Sequence, residues 1–253
     1  MSSARVSVAE AADILGVHPQ RVHQRIRAGS LPAEKIGNQW AIEKDDLRRV
    51  RHHVGPGRPL SSKSAWDLLA VAAHDLAAAE LSPSARSRAR SRLRNLLANA
   101  SSDDLDEAAA HLGHALRNRA ERALFSASPR DLPDVRDDER VHLSGISLPE
   151  SNLSAGAVAE GYVSSGDLDV LIDDYLLSPA HRSRANVILH VVSSEADNPA
   201  LTLEDVARSP LALAADLAEH DGVREKSEAV RTVVDLHAQF VARGAYAVGA
   251  GRG

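Results

Sequence analysis

"GVHPQRVHQRIRAGSLPAEKIGNQWAI", residues 16–42, decides how the front of this chain is read. Pro19 predicts the first position of a helix, because a helix start leaves that N–H unpaired anyway. Val22 and Ile26 stand one turn apart and predict a packing face. At about 100° per residue, Gln20, Gln24 and Arg27 point the opposite way, flanked by Arg21 and His23. Gly29 predicts the end of the helix. Glu34–Ile36 and Trp40–Ile42 then alternate about Gly37-Asn38, the pattern of a hairpin. Trp40 is expected to be its inward anchor, with Lys35, Asn38 and Gln39 along the edge of the wing.

Toward the N-terminus, Ser7 and Glu10 make S-x-x-E, in which each side chain can bond the other's backbone N–H. The helix that follows places Val8, Ala11, Ala12 and Leu15 on one face, and Gly16 closes it. Toward the C-terminus, "EKDDLRRVRHH" (43–53) predicts another helix, acidic at its start and basic at its end as the helix dipole favours. Two short helices about a Gly turn make a helix-turn-helix whose second helix is polar, basic and amide-bearing. Arginine can bond two acceptors of guanine, and glutamine can pair with adenine's acceptor and donor. Both need an outward-pointing helix that fits the major groove. The expected DNA-binding residues are therefore Gln20, Arg21, His23, Gln24 and Arg27 on the helix, and Lys35, Asn38 and Gln39 on the wing.

This order, with Ala11-Ala12, Leu15-Gly16-Val17, Val22, Ile26, Gly29, Leu31-Pro32, Trp40 and Leu47, resembles the excisionase/MerR-type winged helix-turn-helix over about residues 5–50. The resemblance implies a DNA-binding unit; a domain of this kind used only for protein contacts is the plainer alternative. His18-Pro19 departs from the pattern, standing where the family often has a serine cap followed by a polar residue. That leaves the cap of the second helix open.

The bulk numbers hint at two partners, with a chance difference between charge halves as the plain alternative. The 253 residues carry a net charge of −5, with 16 Lys+Arg against 9 Asp+Glu in residues 1–94 and 14 against 26 in residues 95–253. A basic front suits a polyanion, and an acidic back suits a basic protein. Aromatic residues at 3% argue against a single-strand binder that stacks bases. The absence of cysteine excludes disulfides and thiolate chemistry. No apolar run matches a signal peptide or a membrane helix, so a cytoplasmic protein with no membrane contact is expected.

Gly55, Pro56, Gly57 and Pro59 in "HHVGPGRPLSSKSAWDLL" (52–69) predict a linker. Three helical segments are expected after it: one holding Trp66, Leu69, Val71 and Leu76, one in "SPSARSRARSRLRNLLANA" (82–100), and one in "SSDDLDEAAAHLGHALRNRAERAL" (101–124). The arginines at 86, 88, 90, 92 and 94 read as a solvated helix, as a phosphate contact or as a site for an acidic partner. "SPRDLPDVRDDERV" (128–141) marks a second boundary. Beyond it "VHLSGISL" (141–148) and "ANVILHVV" (185–192) read as strands, the latter central. "SSGDLDVLIDDYLLSP" (164–179) reads as a helix between them, "LTLEDVARSPLALAADLAEHDG" (201–222) as one or two short helices, and "VREKSEAVRTVVDLHAQFVARG" (223–244) as a long one. The expected class is mainly α with a smaller α+β C-terminal part. The expected divisions are a winged helix-turn-helix at 1–53, a linker at 54–64, a helical segment at 65–125, a linker at 126–140, an acidic α+β domain at 141–243 and a frayed tail at 244–253.

Chemistry is not written in any motif of this chain. It has no Gly-rich phosphate loop, no G-x-S-x-G and no H-E-x-x-H. His52 and His53 read as solvated, and His111 with His114 as ordinary helix positions. The carboxylates Asp167, Asp169, Asp173 and Asp174 read as a solvated helix face. Asp216, Glu219, His220, Asp221 and Arg224 read as helix-end capping, with a small active site as the alternative. No catalytic residue, metal or cofactor is expected.

A second resemblance spans most of the chain. The winged unit, "GRPLSSKSAW", "EGYV", "DLDVLI", "NVILHVV" and "ALAADLAEHDGVREKSEA" are together similar to actinobacterial helix-turn-helix antitoxins. Such antitoxins are encoded beside nucleotidyltransferase-like toxins of the abortive-infection type. That resemblance implies autorepression by the front and neutralisation of a toxin by the acidic C-terminal part. The expected partners are double-stranded DNA, a toxin, and a second copy of the chain on DNA. An excisionase-like architectural factor and a stand-alone regulator are the alternative readings.

Overall fold

The computed structural model describes residues 5–15, 18–27, 31–37, 39–44, 47, 58–73, 75–99, 104–151, 153, 156–193 and 201–249. The chain divides into two compact units, residues 1–57 and 58–253. Among the described residues no helix is long and apolar enough to cross a membrane.

The first unit runs β1 (Arg5–Val6), α1 (Val8–Leu15), α2 (Pro19–Arg27), β2 (Glu34–Ile36) and β3 (Gln39–Glu43). The capping box forms: Ser7 N donates to Glu10 Oε2 at 2.8 Å, and Glu10 N donates to Ser7 Oγ at 3.3 Å. The strands make an antiparallel sheet in the order β1-β3-β2. Val6, Ala11, Ala12, Val22, Leu31, Ile42 and Leu47 fill the core, with Val8, Ile26 and Ala33 packed against it. Trp40 is only partly buried and is not in that core. The anchor is Ile42, two residues along the same face and fully buried. Lys44 and Leu47 are helical, as "EKDDL" predicts; His52, His53 and the rest of 48–57 lie outside the described residues.

In the second unit the helices come first: α3 (Ser62–Ala73), α4 (Asp75–Ala79), α5 (Pro83–Asn99) and α6 (Leu105–Ala115). A five-stranded sheet follows, in the order β5-β6-β8-β4-β7, from β4 (Glu121–Ser126), β5 (His142–Leu143), β6 (Ala159–Ser164), β7 (Ser178–Pro179) and β8 (Val187–Val192). Two short helices lie between these strands, α7 (Leu132–Asp137) and α8 (Leu168–Asp174). Then come α9 (Leu203–Ala207), α10 (Pro210–Ala218) and the long α11 (Val223–Gly249). β8 is central as expected, parallel to β6 and antiparallel to β4, and every residue of it is buried. The strand's two-residue period splits its neighbours between two cores. Val187, Leu189 and Val191 meet Leu132, Val135 and Leu171 on one face. Val192, with Tyr162 of β6, joins the helices on the other.

That larger core draws Trp66, Leu68 and Leu69 from α3, Leu93 and Leu97 from α5, Leu112 from α6, Leu211 and Leu217 from α10, and Val233 and Leu236 from α11. Helices expected in a separate middle segment thus share one core with the sheet's own helices. The expected linker at 126–140 does not divide them: within it α7 seats Leu132 and Val135 in the smaller core. The helix expected through residue 124 stops at Ala115, and Glu121–Ser126 form β4 instead, because pairing with β8 overrides local helix preference. β6 carries no alternating signal that separates it from loop. "VHLSGISL" yields only the two-residue β5 before a turn of 3-10 helix. Gly145 there has a φ of 54°, and a Cβ on it would stand 2.0 Å from Glu160 Oε2. Of the expected frayed tail at 244–253, residues through Gly249 continue α11, and 250–253 lie outside the described residues.

Candidate nucleic-acid interface

Helix α2 starts on Pro19, and its cap is the histidine before it. His18 Nδ1 accepts the backbone N–H of Gln20 at 3.3 Å, and His18 O accepts that of Arg21 at 2.8 Å. The ring nitrogen does the work a serine oxygen does elsewhere, satisfying one of the free donors of a helix start. Val22 is fully buried and Ile26 partly so, which fixes the rotation of the helix. Gln20, Arg21, Gln24 and Arg27 are consequently exposed, and His23 is half-buried at the margin. Among the described residues none of the four exposed side chains has a hydrogen-bond or ion-pair partner, so their donors and acceptors are open to a ligand. The helix carries no acidic residue to compete for its arginines.

The wing is the β2–β3 hairpin, in register Glu34↔Ala41, Lys35↔Trp40 and Ile36↔Gln39. Gly37 takes a φ of 62°, the left-handed conformation a two-residue hairpin turn asks of its first position. Asn38, the other turn residue and an expected contact, lies outside the described residues. Lys35 and Gln39 are exposed on the two strands. Arg5 clamps the base of the wing, bonding Glu34 at 2.8 Å and Glu43 at 2.7 Å. Ile36 at the tip is 54% exposed, so the wing offers an apolar contact as well as polar ones. The structure thus places seven of the eight expected residues, five along α2 and two on the wing.

In the second unit the tertiary fold gathers groups that are far apart in sequence. Arg119 donates to Asp216 Oδ1 from Nε at 3.0 Å and to Glu219 Oε1 from Nη1 at 2.6 Å. Its Nε also donates to Tyr162 Oη at 2.8 Å, and Tyr162 donates to Asp216 at 2.8 Å. Ser144 Oγ donates to the other oxygen of Asp216 at 2.6 Å. Glu160 meets His190 Nε2 at 3.0 Å and His220 Nε2 at 2.9 Å, and accepts the N–H of Ile146. His190 stacks on Tyr162 at 4.9 Å.

Burial disfavours the Glu160 carboxylate, but the hydrogen bonds of His190 and His220 outweigh it and hold its pKa below the usual carboxylate range. His220 is pushed the other way: burial opposes its charge, and Glu160 more than offsets that. Burial also drives the Tyr162 phenol well above its ordinary value. Arg119, Ser144, Glu160, Tyr162, His190 and Asp216 are each at most 2% exposed. These buried groups pin β6 and β8 to α10 and to the turn after α6. Asp216, Glu219 and His220 thus belong to a buried network rather than to the capping expected of them. Arg119, Tyr162, Glu160 and His190 carried no sequence signal, because their partners lie 30 to 100 residues away.

A groove of about 810 Å³ borders this network at Glu219 and is otherwise lined in part by Gly113, His114, Arg117, Arg122 and Arg182. Its arginines are largely matched: Arg122 by Glu219 at 3.3 Å and Arg182 by Asp221 at 3.0 Å. Burial lowers the pKa of His111, and among the described residues no group of three or more His, Asp or Glu is placed to hold a metal.

Residues 6–51 match the sequence profile of a helix-turn-helix domain family. That span covers α1, α2 and the wing, the part of the chain whose free polar face has just been described. No curated protein and no solved structure matches the chain.

Proposed function

We propose that this chain is a sequence-specific, duplex-DNA-binding transcriptional regulator. The observation that carries the reading is the α2 face: Gln20, Arg21, Gln24 and Arg27 exposed, with no partner among the described residues, within a stretch that matches a helix-turn-helix domain. In this reading α2 enters the major groove, and Lys35 and Gln39 reach the backbone beside it. The reading gives the chain no catalytic step. One winged unit grips few phosphates, so tight binding calls for a second copy or a second basic element. Fluorescence anisotropy on the duplex preceding its own gene, against a scrambled duplex of equal length, tests the reading. A preference for the native duplex is expected; equal affinity for both contradicts it.

The finer reading is that the regulator is an antitoxin that holds its toxin through the second unit. Support comes from the whole-chain resemblance and from 14 Lys+Arg against 26 Asp+Glu in residues 95–253. Co-expression with the neighbouring gene's product is expected to yield a co-purifying complex and relief of growth arrest. A neighbour that is neither toxic nor bound contradicts it.

A further inference from the structure

Helix α5, "PSARSRARSRLRNLLAN", is 17 residues long, and residues 81–99 contain five arginines and no carboxylate. Its core face is Ala85, Ala89, Leu93, Leu96 and Leu97. Directly opposite, Ser84, Ser87, Ser91 and Asn95 form a small polar crown, all exposed. At about 100° per residue the arginines fall on both flanks of that crown. Arg88 and Arg92 lie on one side; Arg86, Arg90 and Arg94 lie on the other.

The pair deepest on the flanks is held by the protein itself. Arg86 Nη2 donates to the carbonyls of Ala79 at 2.9 Å and Leu81 at 3.2 Å. Arg92 Nη1 donates to Ser64 Oγ at 3.1 Å. Arg88, Arg90 and Arg94 are exposed and, among the described residues, have no hydrogen-bond or ion-pair partner. The alternating arginines thus resolve into a serine ridge with free guanidinium groups down both sides.

We propose that α5 is a second DNA contact of this chain, gripping phosphates of a duplex without reading bases. An α-helix with its side chains is about 10–12 Å across, close to the ~12 Å width of the major groove. Arginines on both flanks therefore reach the phosphates of the two opposite strands, while the short serines let the ridge approach. One acidic peptide lying along the helix would need its cations on one side only. Guanidinium groups suit phosphate oxygens by forming paired hydrogen bonds, and with no carboxylate on the helix none is neutralised in place. Because α5 shares a chain with α2, binding by either raises the local concentration of the other at the same duplex. The inference rests on the reading of the chain as a duplex-binding protein, and supplies the second basic element that reading calls for.

The test is the full chain carrying Arg88→Gln, Arg90→Gln and Arg94→Gln, titrated on the native upstream duplex and on its scrambled counterpart across a salt series. Three lost phosphate contacts should reduce the slope of log affinity against log salt by about 2 to 3, and weaken both duplexes by the same factor, about tenfold or more. Circular dichroism and the melting temperature should match the parent, since the three side chains are exposed. The milder pair Arg90→Gln and Arg94→Gln should remove about two thirds of the effect, and settles the matter if the triple variant folds poorly. A parent that binds DNA, with a slope the variants leave unchanged, overturns this inference alone. A variant that loses the native duplex but keeps the scrambled one overturns it as well, since α5 would then be reading sequence. A parent that binds neither duplex overturns this inference and the proposed function together.

Discussion

Arg21 and Gln24 are the residues on which the regulator reading stands or falls. Arg21→Ala and Gln24→Ala should each weaken binding to the native duplex by about 1–3 kcal/mol in a gel-shift titration and leave scrambled DNA nearly unaffected. Equal losses on both duplexes would make them phosphate contacts instead. In the second unit, the residue with a readable pH signature is His220. Its pKa is raised in the fold, so its stabilisation is full below the ordinary histidine value of about 6.5 and fades as pH climbs through the raised value. Glu160 is shifted down, so its stabilisation is full above the ordinary carboxylate value of about 4.3 and fades as pH falls below it. Thermal melts of the parent against His220→Gln should therefore show this pair's contribution fullest between about pH 4.5 and 6.5, while the buried His111, shifted down, withdraws stability below about 6.5. His220→Gln keeps a donor for Glu160 but cannot titrate, and should flatten the alkaline decline. An unchanged decline would assign it to another group. The α2 residues were legible because a 3.6-residue period sorts Val22 and Ile26 from Gln20 and Gln24 within one helix. Glu160 and Arg119 were not, because their burial is decided by partners on other elements.

At the scale of elements, the wing shows what a local pattern can and cannot say. Alternation about Gly37 located the hairpin, and both strands form there. Alternation alone does not say which of two same-face residues lies under the helices, and the larger, Trp40, is not the buried one. Ile42→Ala should destabilise the first unit by about 2–5 kcal/mol, as the loss of a fully buried aliphatic side chain from a tight core does. Trp40→Phe should cost clearly less in the same melts; a cost equal to that of Ile42→Ala would restore tryptophan as the anchor. The capping box at Ser7 and Glu10 was readable because its partners are three residues apart. The cap by His18 was not, because a ring nitrogen is a rare stand-in for a hydroxyl. Strands β4 and β6 escaped for the opposite reason to the hairpin, since they are specified by β8, which lies far along the chain.

Over the whole molecule, two compact units predict two unfolding transitions. The chain's two tryptophans fall one to each, Trp40 in the first and Trp66 in the second. Trp66→Phe leaves fluorescence reporting the first unit, and Trp40→Phe leaves it reporting the second. Arg119→Ala strands Asp216 in the core and should cost the second unit about 3–5 kcal/mol while the transition of the first stays in place. A shift of both would mean the units fold as one. The linker expected at 126–140 fails at this scale too, since composition marks where polar residues gather and not which helices share a core. If α2 reads base edges in the major groove, Arg21 and a guanine N7 are energetically coupled, and a double-mutant cycle between them measures that coupling. Anisotropy titrations would compare the native duplex with duplexes carrying 7-deazaguanine, which lacks that acceptor, for the parent chain and for Arg21→Ala. One guanine is expected whose N7 matters to the parent by about tenfold and not to the variant. Losses that are the same for both proteins at every guanine would contradict it.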